Sequence, residues 1–185
     1  MNPGTAPRIR EEALLILHGR GAILEIAREI SDLLRAENLA GVIIGGVAVT
    51  LHGHVRTTVD VDLYVADTVR VGEALSRHGF TFDAQAKQFV KNDVPVHLVT
   101  ISQLKVAPRS IQDIEGIRTV ALADLINMKL RSGTLNVLRA QDLADVIGLI
   151  RANRLESAFV TQIDKELRRE FRKLAKAVAE ESDEP

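Results

Sequence analysis

The chain predicts an α+β fold, a small mixed sheet flanked by helices and followed by a helical C-terminal section. Three observations carry that reading. The β-branched run "GVIIGG" reads as a buried strand ended by a glycine pair. Val59 to Val65 alternates strictly between apolar and polar residues, the pattern of a strand with one core face. Beyond residue 119 the apolar spacing turns helical and stays so to the tail.

Taken in order, Pro3, Gly4 and Pro7 mark a loose leader, and the first unit is drawn over residues 1–21. An α/β core follows over 22–118. It opens with a helix from Ala22 to about Arg35, on which Ile23, Ile26, Ala27, Ile30, Leu33 and Leu34 recur at helical spacing. Val47 to Gly53 reads as a short helix, and Val69 to His78 as a longer one stopped by Gly79. Gln88–Lys91 and Val94–Ile101 read as two strands joined by a turn at Asn92-Asp93. "APRSIQDIEGIRT" is expected to be a loop with a turn of helix. Residues 119–185 form a helical section packed on the core, with helices over roughly 121–131, 140–152 and 156–180. The last carries Leu155, Phe159, Ile163, Leu167, Phe171, Leu174 and Val178 on one stripe, which needs a partner surface. The polar tail "EESDEP" is expected to fray.

Composition narrows the function classes. The formal net charge is -1, so no global field draws in nucleic acid or acidic lipid, and a nucleic-acid partner would have to use a local patch. There is no cysteine, which excludes disulfides and thiolate metal sites. Glu11 and Glu12 precede the short apolar run Ala13–Leu17, a pattern that fits neither a signal peptide nor a membrane span. The default expectation is a cytoplasmic protein with no membrane partner. No Ser/His/Asp or Walker-type arrangement stands out.

The stretch that carries chemistry is "GGVAVTLHGHVRTTVDVDLYV", Gly45 to Val65. On a strand, Asp60, Asp62 and Tyr64 share one face, while Val59, Val61, Leu63 and Val65 share the other and face the core. At a rise of roughly 3.3 Å per residue, the two aspartate Cα atoms stand about 7 Å apart. Carboxylates leaning together from there can hold divalent cations, which neutralise phosphate oxygens. Aspartate is depleted in strands, and like charges on one face repel, so the pair calls for a reason beyond polarity. Gly45-Gly46 supplies context: at a strand-to-helix turn, glycine lets backbone amides approach an anion closely.

This stretch resembles the signature of the nucleotidyltransferase superfamily, a glycine turn, a short helix and a strand with paired acids. Its form is similar to the toxin-type branch related to AbiEii nucleotidyltransferases. The resemblance is strong over 42–65, moderate over 122–150, and weak or absent before 38 and after about 155. It implies that Gly45 and Gly46 contact a triphosphate and that Asp60 and Asp62 ligate Mg²⁺ or Mn²⁺. Arg56 and Thr57 match positions just ahead of the metal strand, where an arginine fork could clamp phosphate. Lys129 matches a helical lysine placed near the nucleotide, and Asp142 and Asp145 match an acidic stretch that follows. Read from the residues alone, those two acids are equally well a helix start stabilised by negative side chains.

The superfamily adds a third carboxylate from an adjacent strand. The corresponding strand here is "VPVHLVT", and His97 stands where an aspartate is expected. Imidazole is a poor ligand for Mg²⁺ and suits Mn²⁺ or Zn²⁺ better; it is also a general base near neutral pH. Altered metal use, base catalysis by His97, and an impaired enzyme that still binds nucleotide all remain open. Asp93 has the right parity but lies too far along the strand. His52 and His54 read as loop histidines. The cations Lys165, Arg168, Arg169, Arg172, Lys173 and Lys176 read as a solvated helix face.

The implied activity is transfer of a nucleoside monophosphate from an NTP to an RNA such as tRNA, a protein or a small molecule, in a toxin–antitoxin setting with a cognate antitoxin. The alternative is a non-catalytic nucleotide-binding or protein-interaction module on the same fold, weakened by His97.

Overall fold

A computed structural model describes Leu15 and residues 21–182. The leader expected over 1–21 lies outside these apart from Leu15 and Gly21, as do the last residues of the tail. The elements are α1 (Ala22–Ala36), β1 (Gly41–Ile44), α2 (Gly45–Leu51), β2 (Val61–Val65), α3 (Thr68–Arg77), β3 (Thr81–Asp83), β4 (Gln88–Lys91), β5 (Val94–Val99), α4 (Ile101–Leu104), β6 (Ile111–Ile114), β7 (Ile117–Val120), α5 (Leu122–Leu135), α6 (Ala140–Asn153) and α7 (Arg168–Ser182). No described helix is long and apolar enough to cross a membrane.

The strands form one seven-stranded mixed sheet in the order β3-β4-β5-β2-β1-β7-β6. Its centre is an antiparallel β1–β2 pair, flanked by parallel β5 on one side and parallel β7 on the other. Helices cover both faces. Buried residues of α1 and α3 pack with Val61, Leu63 and Val65 on one face. On the other, α5, α6 and α7 pack with Val42, Ile44 and Val120. Asp62 and Tyr64 point to this second side, so the face carrying the aspartates is the one roofed by the C-terminal helices.

Three expectations are corrected. The strand begins at Val61, not Val59. Pairing with β1 starts at Ile44↔Asp62, and Val59 is 54% exposed instead of lying in the core. The segment expected to be a loop, "APRSIQDIEGIRT", contains the β6–β7 hairpin. Its turn residues Glu115 (φ 52°) and Gly116 (φ 79°) are both left-handed, as a type I′ turn requires. Asn92 (φ 51°) and Asp93 (φ 60°) do the same at the β4–β5 turn, as expected from sequence.

The long C-terminal helix is shorter than expected. Residues 157–167 form 3₁₀ turns, and the α-helix starts at Arg168. The cause is visible in what the chain touches there. Asn127 on α5 accepts from the Asp164 N–H and donates to the Gln162 carbonyl. The Asp164 carboxylate is taken by Arg109 and Arg131. Asn127 competes for backbone groups a continuous helix would use, and the two arginines anchor Asp164 beside it. The stripe still finds its partner, since Ile163, Leu167 and Phe171 are buried against α5 and α6.

Candidate active site

Strand register assembles the site from distant parts of the chain. Ile44 pairs with Asp62, which places the following residue, Gly45, directly over that aspartate. Asp62 in turn pairs with His97 on β5. Gly45 adopts φ +67°, and a Cβ there would stand 2.0 Å from Asp62 Oδ2. A Cβ on Gly46 would stand 2.4 Å from Thr58 Oγ1. Both glycines are therefore required by close approach. Thr58 also lies 3.3 Å from Asp60 Oδ1 and can donate its hydroxyl to it. Thr57, the residue singled out in the sequence, is exposed and offers only its carbonyl, to Arg56; the buried hydroxyl belongs to its neighbour.

Asp60, Asp62 and His97 each present a ligand atom, and these atoms lie within 4.8 Å of one another. His97 Nδ1 is 3.4 Å from Asp60 Oδ2 and 3.6 Å from Asp62 Oδ1. On its other side, His97 Nε2 lies 2.8 Å from Gln88 Oε1. Burial, and then the negative charge of Asp60, push the Asp62 carboxyl above the usual carboxylate range; His97 and Lys129 offset part of the effect. Such a pair gains most from a cation between its members. The two distances from His97 suit one divalent ion, because donors at about 2.1 Å from a common centre stand roughly 3.0–4.2 Å apart. The residues therefore fit a divalent metal, with two hard oxygens and one borderline nitrogen.

Beside this cluster runs a cleft of about 500 Å³, in the size range of small-molecule sites. Gly45, Asp62, His97, Lys129 and Asp142 line it. Lys129 is held by two carboxylates, Asp142 at 2.6 Å and Asp145 at 2.8 Å. Asp145 is fully buried and also accepts both Nε (2.7 Å) and Nη2 (3.1 Å) of Arg56. Burial raises the Asp145 carboxyl, but the hydrogen bonds from Arg56 and Lys129 together outweigh it and hold it below the usual range. The Arg56 fork is thus turned toward Asp145 and the Thr57 carbonyl, tying the loop before β2 to α6. Asp142 and Asp145 do share a helix face, and they grip cations on neighbouring elements.

His52 and His54 stand apart from this cluster. His52 is buried, with Nε2 2.8 Å from the Val120 carbonyl. His54 packs so tightly on α6 that a Cβ at Gly148 would meet its ring at 2.3 Å. Sequence reasoning missed Gln88 and Thr58. Gln88 was within reach: a two-residue turn at Asn92-Asp93 pairs Phe89 with Val96, and one step further sets Gln88 opposite His97.

No curated protein matches the chain. Among solved structures, an antigenic nucleotidyltransferase-like protein from Paracoccidioides brasiliensis shares 18% identity, with 86% of this chain and 88% of that one covered and a TM-score of 0.54. ANT(2")-Ia in complex with adenylyl-2"-tobramycin shares 16% identity, with 78% and 93% covered and a TM-score of 0.53. At these identities the likeness is one of fold. Residues 21–179 match the family model described as "Nucleotidyltransferase of unknown function (DUF6036)", and the chain belongs to that nucleotidyltransferase family.

Proposed function

We propose that the protein binds an NTP in this cleft and transfers its nucleoside monophosphate to an acceptor hydroxyl, releasing pyrophosphate. The observation that supports this most directly is the convergence of Asp60, Asp62 and His97, of which Asp62 and His97 line the cleft together with Gly45. A divalent ion held by these residues would supply charge neutralisation at the phosphates. The acceptor hydroxyl oxygen attacks the α-phosphorus and gives its proton up to solvent, the bond from that phosphorus to the oxygen bridging to the β-phosphate breaks, and pyrophosphate leaves with the electron pair. Gly45 and Gly46 bring backbone close to the polyphosphate. Lys129, steadied by Asp142 and Asp145, presents the ammonium that faces it. Arg56 acts at one remove, by holding Asp145, and Thr57 through its carbonyl.

One fold neighbour, ANT(2")-Ia, is in complex with adenylyl-2"-tobramycin, a small adenylylated molecule. In this chain the cleft lip carries Lys105 and Arg139, which have no ion pair among the described residues. Their charge favours an anionic acceptor such as RNA. The toxin-type setting with a cognate antitoxin, and the cytoplasm as location, belong to the same proposal. The toxin-type setting rests on the resemblance of the Gly45–Val65 stretch, and the location on the N-terminal pattern that fits neither a signal peptide nor a membrane span. A second reading is favoured by His97 in the third-acid position: a module that binds nucleotide without transferring it.

One experiment separates the two. The protein is incubated with each labelled NTP, Mg²⁺ or Mn²⁺, and bulk tRNA or cell lysate. Label transfer that disappears in Asp60→Ala supports the enzyme. Nucleotide binding without transfer under every condition supports the module and rejects the enzyme.

A further inference from the structure

We propose that Gln88 is a positioning residue that makes His97 Nδ1 the third ligand of the metal site, and that the site therefore prefers Mn²⁺ to Mg²⁺. This rests on the metal-dependent reading above and deepens it. A neutral imidazole has one N–H and one lone pair. His97 Nε2 lies 2.8 Å from Gln88 Oε1, and an amide oxygen only accepts. In the neutral ring with its proton on Nε2, the form that an ion at Nδ1 requires, the lone pair is on Nδ1. That lone pair faces Asp60 Oδ2 at 3.4 Å and Asp62 Oδ1 at 3.6 Å. An ion among these three atoms would be held by two carboxylate oxygens and the ring nitrogen. Both distances from Nδ1 fall within the roughly 3.0–4.2 Å expected of donors sharing one ion.

Gln88 is well placed to hold this arrangement. It sits on β4, in the hairpin partner of β5, so backbone pairing sets it against His97. The adjacent Phe89 is buried and packs against Phe82, with ring centroids 5.0 Å apart and the planes tilted by 55°. A hydrogen-bond partner on the far ring nitrogen fixes tautomer and ring orientation, and losing one typically costs 10–100-fold in metal affinity. With Nδ1 committed to the ion, His97 is a ligand and not the base that deprotonates the acceptor. Replacing a carboxylate oxygen by an imidazole nitrogen weakens the site for Mg²⁺ more than for Mn²⁺.

The test uses the nucleotide-free full chain. Mn²⁺ binding is followed by electron paramagnetic resonance, Mg²⁺ by competition, and bound histidine nitrogen by ¹⁴N modulation of the spin echo, with ¹⁵N-histidine protein as the reference. Wild type should bind Mn²⁺ at least about tenfold more tightly than Mg²⁺ and show the nitrogen coupling. His97→Asp should lose the coupling and shift preference toward Mg²⁺. Gln88→Leu should lose about tenfold or more in Mn²⁺ affinity, whereas Gln88→Glu, still an acceptor, should retain affinity and coupling. Thermal unfolding confirms that each variant is folded. The inference is overturned if wild type binds no Mn²⁺, binds it without nitrogen coupling, or if Gln88→Glu fails as fully as Gln88→Leu. Nitrogen-coupled Mn²⁺ without label transfer would leave the inference standing and remove the transferase reading. Label transfer without nitrogen coupling would do the opposite.

Discussion

Replacing Gly45 with alanine should damage function far more than stability. Gly45 has φ +67°, where an L-residue costs about 1–2 kcal/mol. In a domain of this size that lowers Tm by roughly 2–8 °C. The new Cβ would also meet Asp62 Oδ2 at 2.0 Å, a distance no real contact holds. Backbone on both sides is fixed by the Ile44↔Asp62 pairing, so the Asp62 side chain must swing away, by roughly 1 Å or more. A displacement of that size at a reacting centre costs about 10²-fold in rate, and the carboxylate would no longer share an ion with Asp60 and His97. Gly53→Ala is the matched control. It also has positive φ (+94°), but its Cβ would meet only Ala152 Cβ, at an ordinary 3.5 Å. The two variants should show similar losses in Tm, whereas only Gly45→Ala should lose Mn²⁺ affinity and label transfer. Equal metal affinity in Gly45→Ala and wild type would refute the reasoning, because it would mean that the turn does not crowd the aspartate.

Two further outcomes follow from the buried polar groups. Asp145→Asn leaves Arg56 and Lys129 without their shared carboxylate, and truncating a buried pair costs about 3–5 kcal/mol; the denaturant midpoint should fall accordingly, and a variant as stable as wild type would show that the network is dispensable. Burial, only partly offset by the Val120 carbonyl, lowers the His52 pKa below its ordinary value of about 6.5. The unfolded chain then binds the proton first, so stability should be full above pH ~6.5 and decline as pH falls below it. His52→Gln should flatten that part of the stability–pH curve; an unchanged slope would assign it to other groups.

What the sequence made legible was what depends on parity. Alternation alone put Asp60 and Asp62 on one face, and the β5 parity put His97 beside them, because side chains on a strand repeat every two residues whatever the strand pairs with. The glycine pair was legible for a similar reason: it had to end a buried strand. What escaped depends on partners. The β6–β7 hairpin has an outer strand, "IQDI", with no buried apolar face, so no periodicity marks it; only the Glu115-Gly116 turn could have done so. The break at Gln162–Asp164 comes from Asn127, Arg109 and Arg131, two of which lie on α5 and the third in the loop before β6. The apolar stripe runs through it without interruption. Arg56 was read as a phosphate clamp because an arginine fork fits phosphate as well as carboxylate. Which one it meets is decided by Asp145, 89 residues away.

The site's geometry is guarded by the opposite side of its own strand. Val61, Leu63 and Val65 are fully buried between the sheet and α1. A one-residue slip of β2 against β1 and β5 would turn these three toward the cleft face under the C-terminal helices and drive Asp62 and Tyr64 against the apolar side chains of α1 and α3. Burying a carboxylate there without a partner is a cost that the native register avoids. The register that brings Asp62 under Gly45 and beside His97 is therefore held by hydrophobic burial, which needs no metal to maintain it. It follows that Asp60 and Asp62 can be exchanged for neutral residues without losing the fold. Stability lost in Asp62→Asn would count against this account, because neutralising a crowded, half-buried carboxylate should leave the domain as stable as before or more so.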